Sequence, residues 1–506
     1  MSWKKELEEL KRREALAEKM GGAEKVARQK SKGKQHARER IAQFLDDDSF
    51  REIGKIAGKG TYDKYGDMID FSPANFLFGR GRVNGRPIVL GVDDFTVRGG
   101  SADAAIYRKA ILSEQMAHEV KLPLVRLIDG TGGGGSVKML EDMGFTYVPA
   151  VPGWDHVVTN LKTVPVVSLA LGPTAGLGAA RAVASHYSVM VKGVSQIFTA
   201  GPKVAVAIGE APMSNEEMGG SKIHTRNGVI DDEAKSEAEA FDFARKFLSY
   251  LPDYAGAKLI RSECNDPVAR KDESLISAVP KDTRKVYNMH NILESVADKG
   301  SVFVMGSKWG NSVITAFARF DGWPVAVLAS DPRFLGGSWT ASSSEKAKRF
   351  IAVAETFKLP VIHLVDNPGF MIGLEAEKAA TIRRGVEAMN AVYEATVPWC
   401  SVIIRKAYGV AGAAMSDHTK FQYRFAWPSG DWGSLPIDGG VEVAYKSELE
   451  KAKDPEAKLA EIKTRLSKVT SPYRTAEHFY VEDIIDPRDT RGLLCEFVEL
   501  AMRGQG

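Results

Sequence analysis

The chain has 506 residues, with 68 Lys and Arg against 65 Asp and Glu, so its formal net charge is +3. This balance gives no argument from charge for a nucleic-acid or acidic-membrane partner. A chain of this length is too long for one hydrophobic core and predicts two domains. The three cysteines are far apart in sequence and form neither a disulfide framework nor a paired zinc spacing, which favours a reducing, cytoplasmic compartment.

In chain order, the first half predicts alternating helices and strands. The spacing of apolar residues predicts helices over 3–19, 36–45 and 104–120, and apolar runs predict strands over 87–92, 122–128 and 164–171. This alternation is typical of an α/β layer fold. A tract of glycines that includes Gly132, Gly133 and Gly134 follows the strand at 122–128, and it predicts either a phosphate-binding loop or only a flexible one.

The second half of the chain is a diverged copy of the first. Residues 85–129 align without a gap on residues 322–366 at a constant offset of 237, and a second block places Gly176 on Gly409 at an offset of 233. A lag of this length exceeds the roughly 20–50 residues of a solenoid repeat and indicates two whole domains of one fold. We place their boundary at 260/261, within a loop-rich stretch.

In each half a strand runs through a glycine turn into a helix of small residues, at Gly176 and at Gly409. Glycine lets a ligand approach the backbone closely and permits a positive φ. The first amides of the following helix lack acceptors within the helix and are reinforced by its dipole. Such N–H groups can form an oxyanion hole. The alternative is that glycine and alanine here only let the helix pack closely on the sheet.

Several common catalytic motifs are absent from the sequence. It has no G-x-S-x-G elbow for a hydrolase serine, no H-E-x-x-H zinc motif and no Walker phosphate loop. The nine histidines are dispersed, so we predict no metal site in this chain. A biotinylation loop of the Ala-Met-Lys-Met kind is also absent. We therefore do not expect the chain to use ATP or to carry biotin itself.

Long ordered motifs run along nearly the whole chain. They are G-K-Q-H-A-R-E-R-I from Gly33, F-T-A-G-P from Phe198, N-P-G-F from Asn367, Y-E-A-T-V-P from Tyr393 and D-P-R-D-T-R from Asp486. In these motifs the chain resembles the carboxyltransferase (β) subunits of biotin-dependent acyl-CoA carboxylases, the propionyl-CoA carboxylase type. Because an ATP site and a biotinyl lysine motif are both missing, we expect one subunit of a larger complex.

The resemblance implies a fold, an assembly and a division of labour. The fold is two tandem crotonase-like (ClpP/crotonase) domains, with acyl-CoA bound by residues 1–260 and biotin by residues 261–506. The assembly is a homohexamer core with the active site between facing protomers. It binds a biotin carboxylase or biotin carboxyl carrier subunit that brings the biotin. No nucleic acid, membrane or metal ion is implied.

The resemblance also implies the roles of individual residues. The backbone amides of Gly176 and Leu177 hold the oxygen of the acyl thioester, and those of Val410 and Ala411, beside Gly409, hold the oxygen of biotin. The family usually has glycine where this chain has Leu177 and Val410. The implied binding residues are Asn367, Pro368, Gly369 and Phe370 for biotin, with a purely structural turn as the alternative, and Ala413 for the substrate. Gly132, Gly133 and Gly134 are candidates for substrate binding from the glycine run itself, as a loop that holds phosphates.

The implied activity is transfer of a carboxyl group from carboxybiotin to the α-carbon of an acyl-CoA, a short-chain one similar to propionyl-CoA. Departures from the family pattern near Trp432 and Leu435 suggest that the substrate is not simply propionyl-CoA. The alternatives are a subunit of a biotin-dependent acyl-CoA decarboxylase or transcarboxylase, and a non-catalytic scaffold homologue. A crotonase-like hydratase would need a pair of carboxylates at the thioester turn, and the sequence near Gly176 offers none.

Overall fold

The structure is a computed structural model that describes residues 2–101, 106–130, 140–141 and 143–504. The chain divides into two compact units, Met1–Ala257 and Lys258–Gly506. Both units are built from α-helices and mixed β-sheets, as the alternating pattern predicts. Gly132, Gly133 and Gly134 lie outside the described residues. The assignment of one ligand to each half stays a prediction.

The first unit is organised around one large sheet. Its strands are β1 (Arg51–Ile53), β2 (Gly58–Tyr62), β3 (Met68–Pro73), β4 (Phe76–Val83), β5 (Arg86–Asp93), β6 (Leu124–Ile128), β7 (Val166–Ala170), β8 (Pro173–Ala175), β9 (Tyr187–Val191), β10 (Gln196–Phe198) and β11 (Asp232–Ala234). The sheet order within the described part is β1-β4-β5-β6-β7-β9-β11, and β5, β6, β7, β9 and β11 are parallel. Strands β8 and β10 form a separate small parallel sheet, and β2 pairs with β3.

Helices cover the sheet of the first unit. They are α1 (Lys4–Glu18), α2 (Ala23–Lys30), α3 (Ala37–Phe44), α4 (Tyr107–Glu119), α5 (Trp154–Thr163), α6 (Leu177–Val183), α7 (Pro202–Ala207), α8 (Asn215–Gly219), α9 (Ser221–His224) and α10 (Glu237–Tyr250). Strands β6 and β7 are buried along their whole length, as expected for parallel strands covered on both faces. Helix α3 begins where the sequence predicts because His36 and Glu39 form a reciprocal capping box.

The second unit repeats this plan. Its strands are β12 (Phe303–Met305), β13 (Val313–Phe320), β14 (Trp323–Ser330), β15 (Val361–Asn367), β16 (Trp399–Tyr408), β17 (Tyr423–Ala426), β18 (Asp431–Gly433) and β19 (Asp483–Ile484). They follow the order β12-β13-β14-β15-β16-β17-β19, and β18 pairs with the carboxyl end of β16. Strands β14, β15, β16 and β17 are parallel, so their carboxyl ends meet at one edge of the sheet.

The helices of the second unit bury its sheet. They are α11 (Met289–Val296), α12 (Ala341–Phe357), α13 (Leu374–Lys378), α14 (Thr381–Glu394), α15 (Gly409–Ala413), α16 (Ile437–Ala444), α17 (Lys446–Lys451), α18 (Pro455–Ser467), α19 (Pro472–Glu477) and α20 (Thr490–Arg503). The core joins α11 and α20 to the sheet, with Leu293, Leu494, Val327 and Leu364 all fully buried. The charged residues 447–468 lie mainly in the helix pair of α17 and α18.

The internal repeat extends to the backbone conformation. The hairpin of β4 and β5 turns at Asn84 and Gly85, both at positive φ, and the hairpin of β13 and β14 turns at Asp321 and Gly322 in the same way. Two successive residues at positive φ are typical of the tight turn that matches the twist of a two-stranded hairpin. The equivalent residues lie 237 positions apart, which is the offset found in the sequence.

Candidate functional site

The glycine turn of the first unit lies between β8 and α6. Gly176 has a φ of 60°, in the left-handed region, and a Cβ added there would meet nothing within 4 Å. Glycine is therefore required by backbone conformation and not by lack of space. The amide of Gly176 donates to the Phe198 carbonyl at 3.3 Å, so this N–H is already used within the fold. The Leu177 amide is the first in the helix, where N–H groups lack an acceptor in the helix itself.

The glycine turn of the second unit has nearly the same φ at its glycine. Gly409 has a φ of 61°, at the residue aligned with Gly176, and α15 begins there. The next residue carries an exposed apolar side chain in both units: Leu177 is 42% exposed and Val410 is 51% exposed. The side chain of Ala411 is buried. At both turns, what is presented to solvent is main chain flanked by an aliphatic side chain.

Side chains hold α15 at its middle and just past its carboxyl end. Nδ2 of Asn367, at the end of β15, donates to the carbonyl of Ala411, the middle residue of the helix, at 3.2 Å. Past the carboxyl end of the helix, the Met415 carbonyl accepts from Nε1 of Trp399 at 2.8 Å and from Oγ of Ser401 at 3.0 Å, and Nδ1 of His363 lies 3.1 Å from it. The position of the short helix is therefore fixed by the two strands beside it.

The motif that begins at Asn367 forms a tight turn. Oδ1 of Asn367 accepts from the amide of Gly369 at 2.9 Å, and Gly369 has a φ of 127°. Phe370 packs against α14, where a Cβ on Gly385 would lie 2.3 Å from its ring. The structural alternative for this motif thus has direct support, since Asn367 is buried and uses both its side-chain oxygen and nitrogen. A role in binding biotin for these residues and Pro368 stays a prediction.

A cavity of about 650 Å³ opens beside α15. Gly409, Ala413, Met415 and Trp432 are among its lining residues, and Ala413 is exposed. The indole Nε1 of Trp432 donates to Oγ1 of Thr475 at 3.0 Å, which fixes the ring as one wall. The structure therefore places Ala413 and Trp432, two residues singled out in the sequence, at the same cavity.

A buried carboxylate lies at the carboxyl end of the strand next to each turn. In the first unit, Asp129 accepts from Nζ of Lys34 at 2.7 Å, from Arg40 at 2.8 Å and from Gln29 at 3.3 Å. Arg40 also binds the carboxylate of Glu237 and the carbonyl of Leu171. Burial lowers the pKa of Lys34 below its usual value, against the opposing pull of Asp129. The equivalent carboxylate in the second unit is Asp366.

The first unit also has a second cavity, of about 630 Å³, with five cationic side chains among its lining residues. The basic side chains are Lys25, Arg28, Lys32, Lys34 and Arg98, whereas Glu216 is the carboxylate among the lining residues. Pro173 of β8 also lines it and connects it to the Gly176 turn. Sequence analysis missed this surface. The available signal was the spacing of Lys25 and Arg28, which places both on one face of α2, with Lys32 just past the end of that helix.

Two expected absences concern ions and membranes. Among the described residues, no three or more His, Cys, Asp and Glu side chains come together as a metal site would require. None of the helices in the described ranges combines the length and apolar character needed to span a bilayer.

Comparisons with known proteins identify the family. Residues 28–505 match the carboxyl transferase domain. The propionyl-CoA carboxylase carboxyltransferase subunit of Haloferax mediterranei is 33% identical over 98% of this chain and 95% of its own. The methylmalonyl-CoA decarboxylase subunit alpha of Veillonella parvula is 30% identical over 93% of this chain and 91% of its own. The transcarboxylase 12S hexamer core, solved with methylmalonyl-coenzyme A and methylmalonic acid bound, has a TM-score of 0.87 at 28% identity and covers 99% of this chain and 95% of that one.

The chain therefore belongs to the carboxyl transferase domain family. The resemblance seen in the sequence motifs is confirmed, and the chain is a carboxyltransferase, the transferase component of an enzyme.

Proposed function

We propose that this chain moves the carboxyl group of carboxybiotin, held on a biotin carrier subunit, to the α-carbon of a short-chain acyl-CoA similar to propionyl-CoA. The observation that carries the proposal is the pair of glycine turns, at Gly176 and Gly409, with the same φ at equivalent residues. Each unit has the mixed α/β architecture that a crotonase-type domain requires. The transcarboxylase 12S relative is a hexamer, which supports a hexameric core here. The dispersed free cysteines favour the cytoplasm.

The residues of the chain have separate tasks in this mechanism. Carboxybiotin supplies the carboxyl group. The amides of Val410 and Ala411 hold the ureido oxygen of biotin as negative charge develops on it. Transfer would break the bond between the ureido nitrogen and the carboxyl carbon, and that nitrogen would accept the α-proton of the acyl-CoA. The α-carbon would then bond to the carboxyl carbon while the Leu177 amide of the first unit holds the thioester oxygen. The amide of Gly176, which already donates to Phe198, contributes less. Fixed dipoles of this kind need no reorganisation during the reaction.

Proline substitution tests the amides directly. Leu177→Pro and Val410→Pro each delete one N–H in the first turn of a helix, where proline is tolerated. We expect each to slow transfer from methylmalonyl-CoA to free biotin by ~10²–10³-fold. Leu177→Ala and Val410→Ala keep the amide and remove a similar amount of side chain, so they serve as matched controls with rates near wild type. Folded proline variants that transfer carboxyl groups at the wild-type rate would contradict the proposal.

The basic cavity of the first unit supports the choice of acyl-CoA. Coenzyme A carries a pyrophosphate and a 3′-phosphate, and clustered Lys and Arg side chains are suited to bind such groups. Lys25, Arg28 and Lys32 are exposed at the cavity. We expect their combined replacement by Gln to raise the KM for methylmalonyl-CoA about tenfold, since each exposed charge contributes up to ~1 kcal/mol.

A truncated substrate provides the control for this cavity. Methylmalonyl-pantetheine has the same reacting thioester without the nucleotide phosphates, so the triple variant should transfer its carboxyl group as well as wild type does. An equal loss with both substrates would show that the cations do not act on the nucleotide.

The nature of the partner decides between the remaining alternatives. The decarboxylase relative is 30% identical over most of the chain, so a decarboxylase role has specific support, and so has a transcarboxylase role. With ATP, bicarbonate and propionyl-CoA, we expect turnover only after a biotin carboxylase and carrier subunit is added. Activity with a membrane decarboxylase subunit instead would favour the decarboxylase. Lack of transfer in every partner combination would leave the scaffold role.

A further inference from the structure

Asp366 makes direct contacts with the chain segment that leads to the Gly409 turn. Its carboxylate is fully buried. Oδ1 accepts from the backbone amide of Lys406 at 3.0 Å, and Oδ2 accepts from Nε of Arg405 at 3.1 Å. Oδ2 also accepts from the Tyr287 hydroxyl at 2.8 Å. Two of these donors come from residues three and four positions before Gly409.

The segment that Asp366 contacts is irregular. Strands β15 and β16 pair in register up to Val365 opposite Ile403, and the next pair is Asn367 opposite Ala407. Between these two pairs, β16 has three residues, 404–406, whereas β15 has only Asp366. The two extra residues in β16 form an irregularity similar to a β-bulge. A bulge leaves backbone groups unpaired and redirects the chain. Here the amide of Lys406, one of the displaced groups, donates to the Asp366 carboxylate.

The first unit also places a cation beside the equivalent buried carboxylate, but with different residues. Asp129 is the equivalent of Asp366, and Gly172 is the residue aligned with Arg405. A Cβ on Gly172 would lie 2.0 Å from Oδ1 of Asp129 and 2.4 Å from Nζ of Lys34. The space that a side chain at Gly172 would occupy is thus filled by a cation from elsewhere in the chain. A buried pair of carboxylate and cation lies before the turn in both units, although the cation comes from different residues.

The hydrogen bond from the Lys406 amide to Asp366 has no counterpart in the first unit. The residue aligned with Lys406 is Pro173, which has no N–H to donate. In the first unit, the link from Asp129 to the chain before the turn runs through Arg40 to the carbonyl of Leu171. In the second unit, the carboxylate holds the backbone itself. A change at Asp366 should therefore act on its turn more directly than a change at Asp129.

We propose that Asp366 is a positioning residue for the biotin-side half of the reaction: by closing the bulge at residues 404–406, it sets the direction in which the amides of Val410 and Ala411 point. The inference rests on the proposed function, because those amides are assigned there to biotin. The carboxylate of Asp366 is fully buried. It acts through Arg405 and the amide of Lys406.

The test is the transfer of the carboxyl group from methylmalonyl-CoA to free biotin. Asp366→Asn keeps the shape of the side chain and removes the charge that holds Arg405. We expect the KM for biotin to rise about tenfold and kcat to fall about tenfold, while the KM for methylmalonyl-CoA stays within about twofold of wild type. Tyr287→Phe removes one bond to Asp366 and leaves the pair intact, so its effect should have the same direction and be smaller.

Asp298 provides a matched control in the same unit. It is also buried, and its carboxylate accepts from Arg491 at 2.8 Å and from the amide of Gly322 at 2.8 Å. Gly322 precedes β14, at the sheet edge opposite to the carboxyl ends where Gly409 lies. Asp298→Asn should therefore destabilise the unit without changing the KM for biotin. Equal effects of the two Asn variants on that KM would overturn the proposal.

Hydrogen exchange separates this proposal from the proposed function. In Asp366→Asn, amides of residues 404–411 should exchange faster than in wild type, whereas in Asp298→Asn they should not. If wild type fails to transfer the carboxyl group, the proposed function fails and exchange still tests whether Asp366 holds the bulge. Unchanged exchange at residues 404–411 in Asp366→Asn would reject the positioning role even in an active enzyme.

Discussion

The turns at Gly176 and Gly409 share a backbone and differ in what supports it. In the first unit, the amide of Gly176 bonds to Phe198 of the small β8–β10 sheet, so main chain supports main chain. In the second unit, side chains hold the turn: Asn367 donates a hydrogen bond to the Ala411 carbonyl, and Asp366 accepts one from the Lys406 amide. The φ of the turn glycine is nearly the same in the two units, at 60° and 61°, while the groups that hold the turn differ. The φ of this glycine is thus the more constrained property.

The largest expected difference between the units concerns their buried arginines. Arg40 bridges two carboxylates, Asp129 and Glu237, whereas Arg405 pairs with Asp366. Breaking one buried ion pair costs ~3–5 kcal/mol because a charge is left without its partner. We expect Arg40→Met to lower the free energy of unfolding by at least this amount, because Glu237 then loses its arginine even though Asp129 keeps Lys34. Arg405→Met should lower it by less, since Asp366 keeps two other donors. Urea unfolding, followed by hydrogen exchange resolved for each unit, checks the order. A larger loss for Arg405→Met would show that the second unit depends more on its ion pair.

A pH series compares one buried histidine in each unit. Burial lowers the pKa of His186 and of His363 to about 4. An unfolded histidine has a pKa near 6.5, so as the pH falls below that value the unfolded chain binds a proton before the folded chain does. The free energy of unfolding should therefore fall between pH 6.5 and pH 4, by about 3 kcal/mol for each histidine. Chemical unfolding at several pH values measures this slope.

The two histidines should contribute similar parts of that slope, because both have a pKa of about 4, and the contacts of His186 show why protonation is costly there. Its Nδ1 accepts from the Val166 amide at 3.0 Å and its Nε2 lies 3.0 Å from the Leu161 carbonyl, so the neutral ring uses both nitrogens and protonation of Nδ1 would break a bond. His186→Gln and His363→Gln should each remove the part of the slope that belongs to the histidine replaced. A slope that persists in the double variant would assign it to other groups.

The smallest expected effect concerns the turn glycines themselves. Alanine at a φ near 60° costs about 1–2 kcal/mol at either turn. Gly409→Ala should cost more than Gly176→Ala, because a Cβ on Gly409 would lie 3.4 Å from the Ser434 carbonyl and a Cβ on Gly176 would meet nothing within 4 Å. Thermal unfolding of the two variants gives the order. Equal costs would mean that the loop at Ser434 moves aside readily.

The features that the sequence predicts well are those that depend on local pattern. The aligned hairpins, the helix capped at His36 and the two glycine turns all follow from residues close together in the chain. The strand that was expected to run over residues 164–171 ends at Ala170, because Leu171 and Gly172 separate it from the small β8–β10 sheet. That sheet depends on pairing between residues about 23 positions apart and has no local signal.

The supports of the turns could not be predicted, because their partners are distant in sequence. In the sequence, Arg40 is only one residue of the motif that begins at Gly33, within the helix predicted over residues 36–45. Its partners Asp129 and Glu237 lie 89 and 197 positions away. Asn367 was assigned to biotin or to a turn from its motif, and nothing in the motif indicates its bond to Ala411, which is 44 positions away. Burial and tertiary pairing decide such roles, and neither is encoded in spacing.

The repeated left-handed residues have a consequence for the study of relatives. Arg98, Gly99 and Lys121 recur as Leu335, Gly336 and Lys358, with the same sign of φ but with side chains that agree at only some of the pairs. The sign of φ thus identifies equivalent residues in the two halves even where their amino acids no longer agree. When a substitution is studied at one of these positions, the repeated φ identifies the equivalent residue in the other half without a comparison of side chains. The same substitution can then be made there.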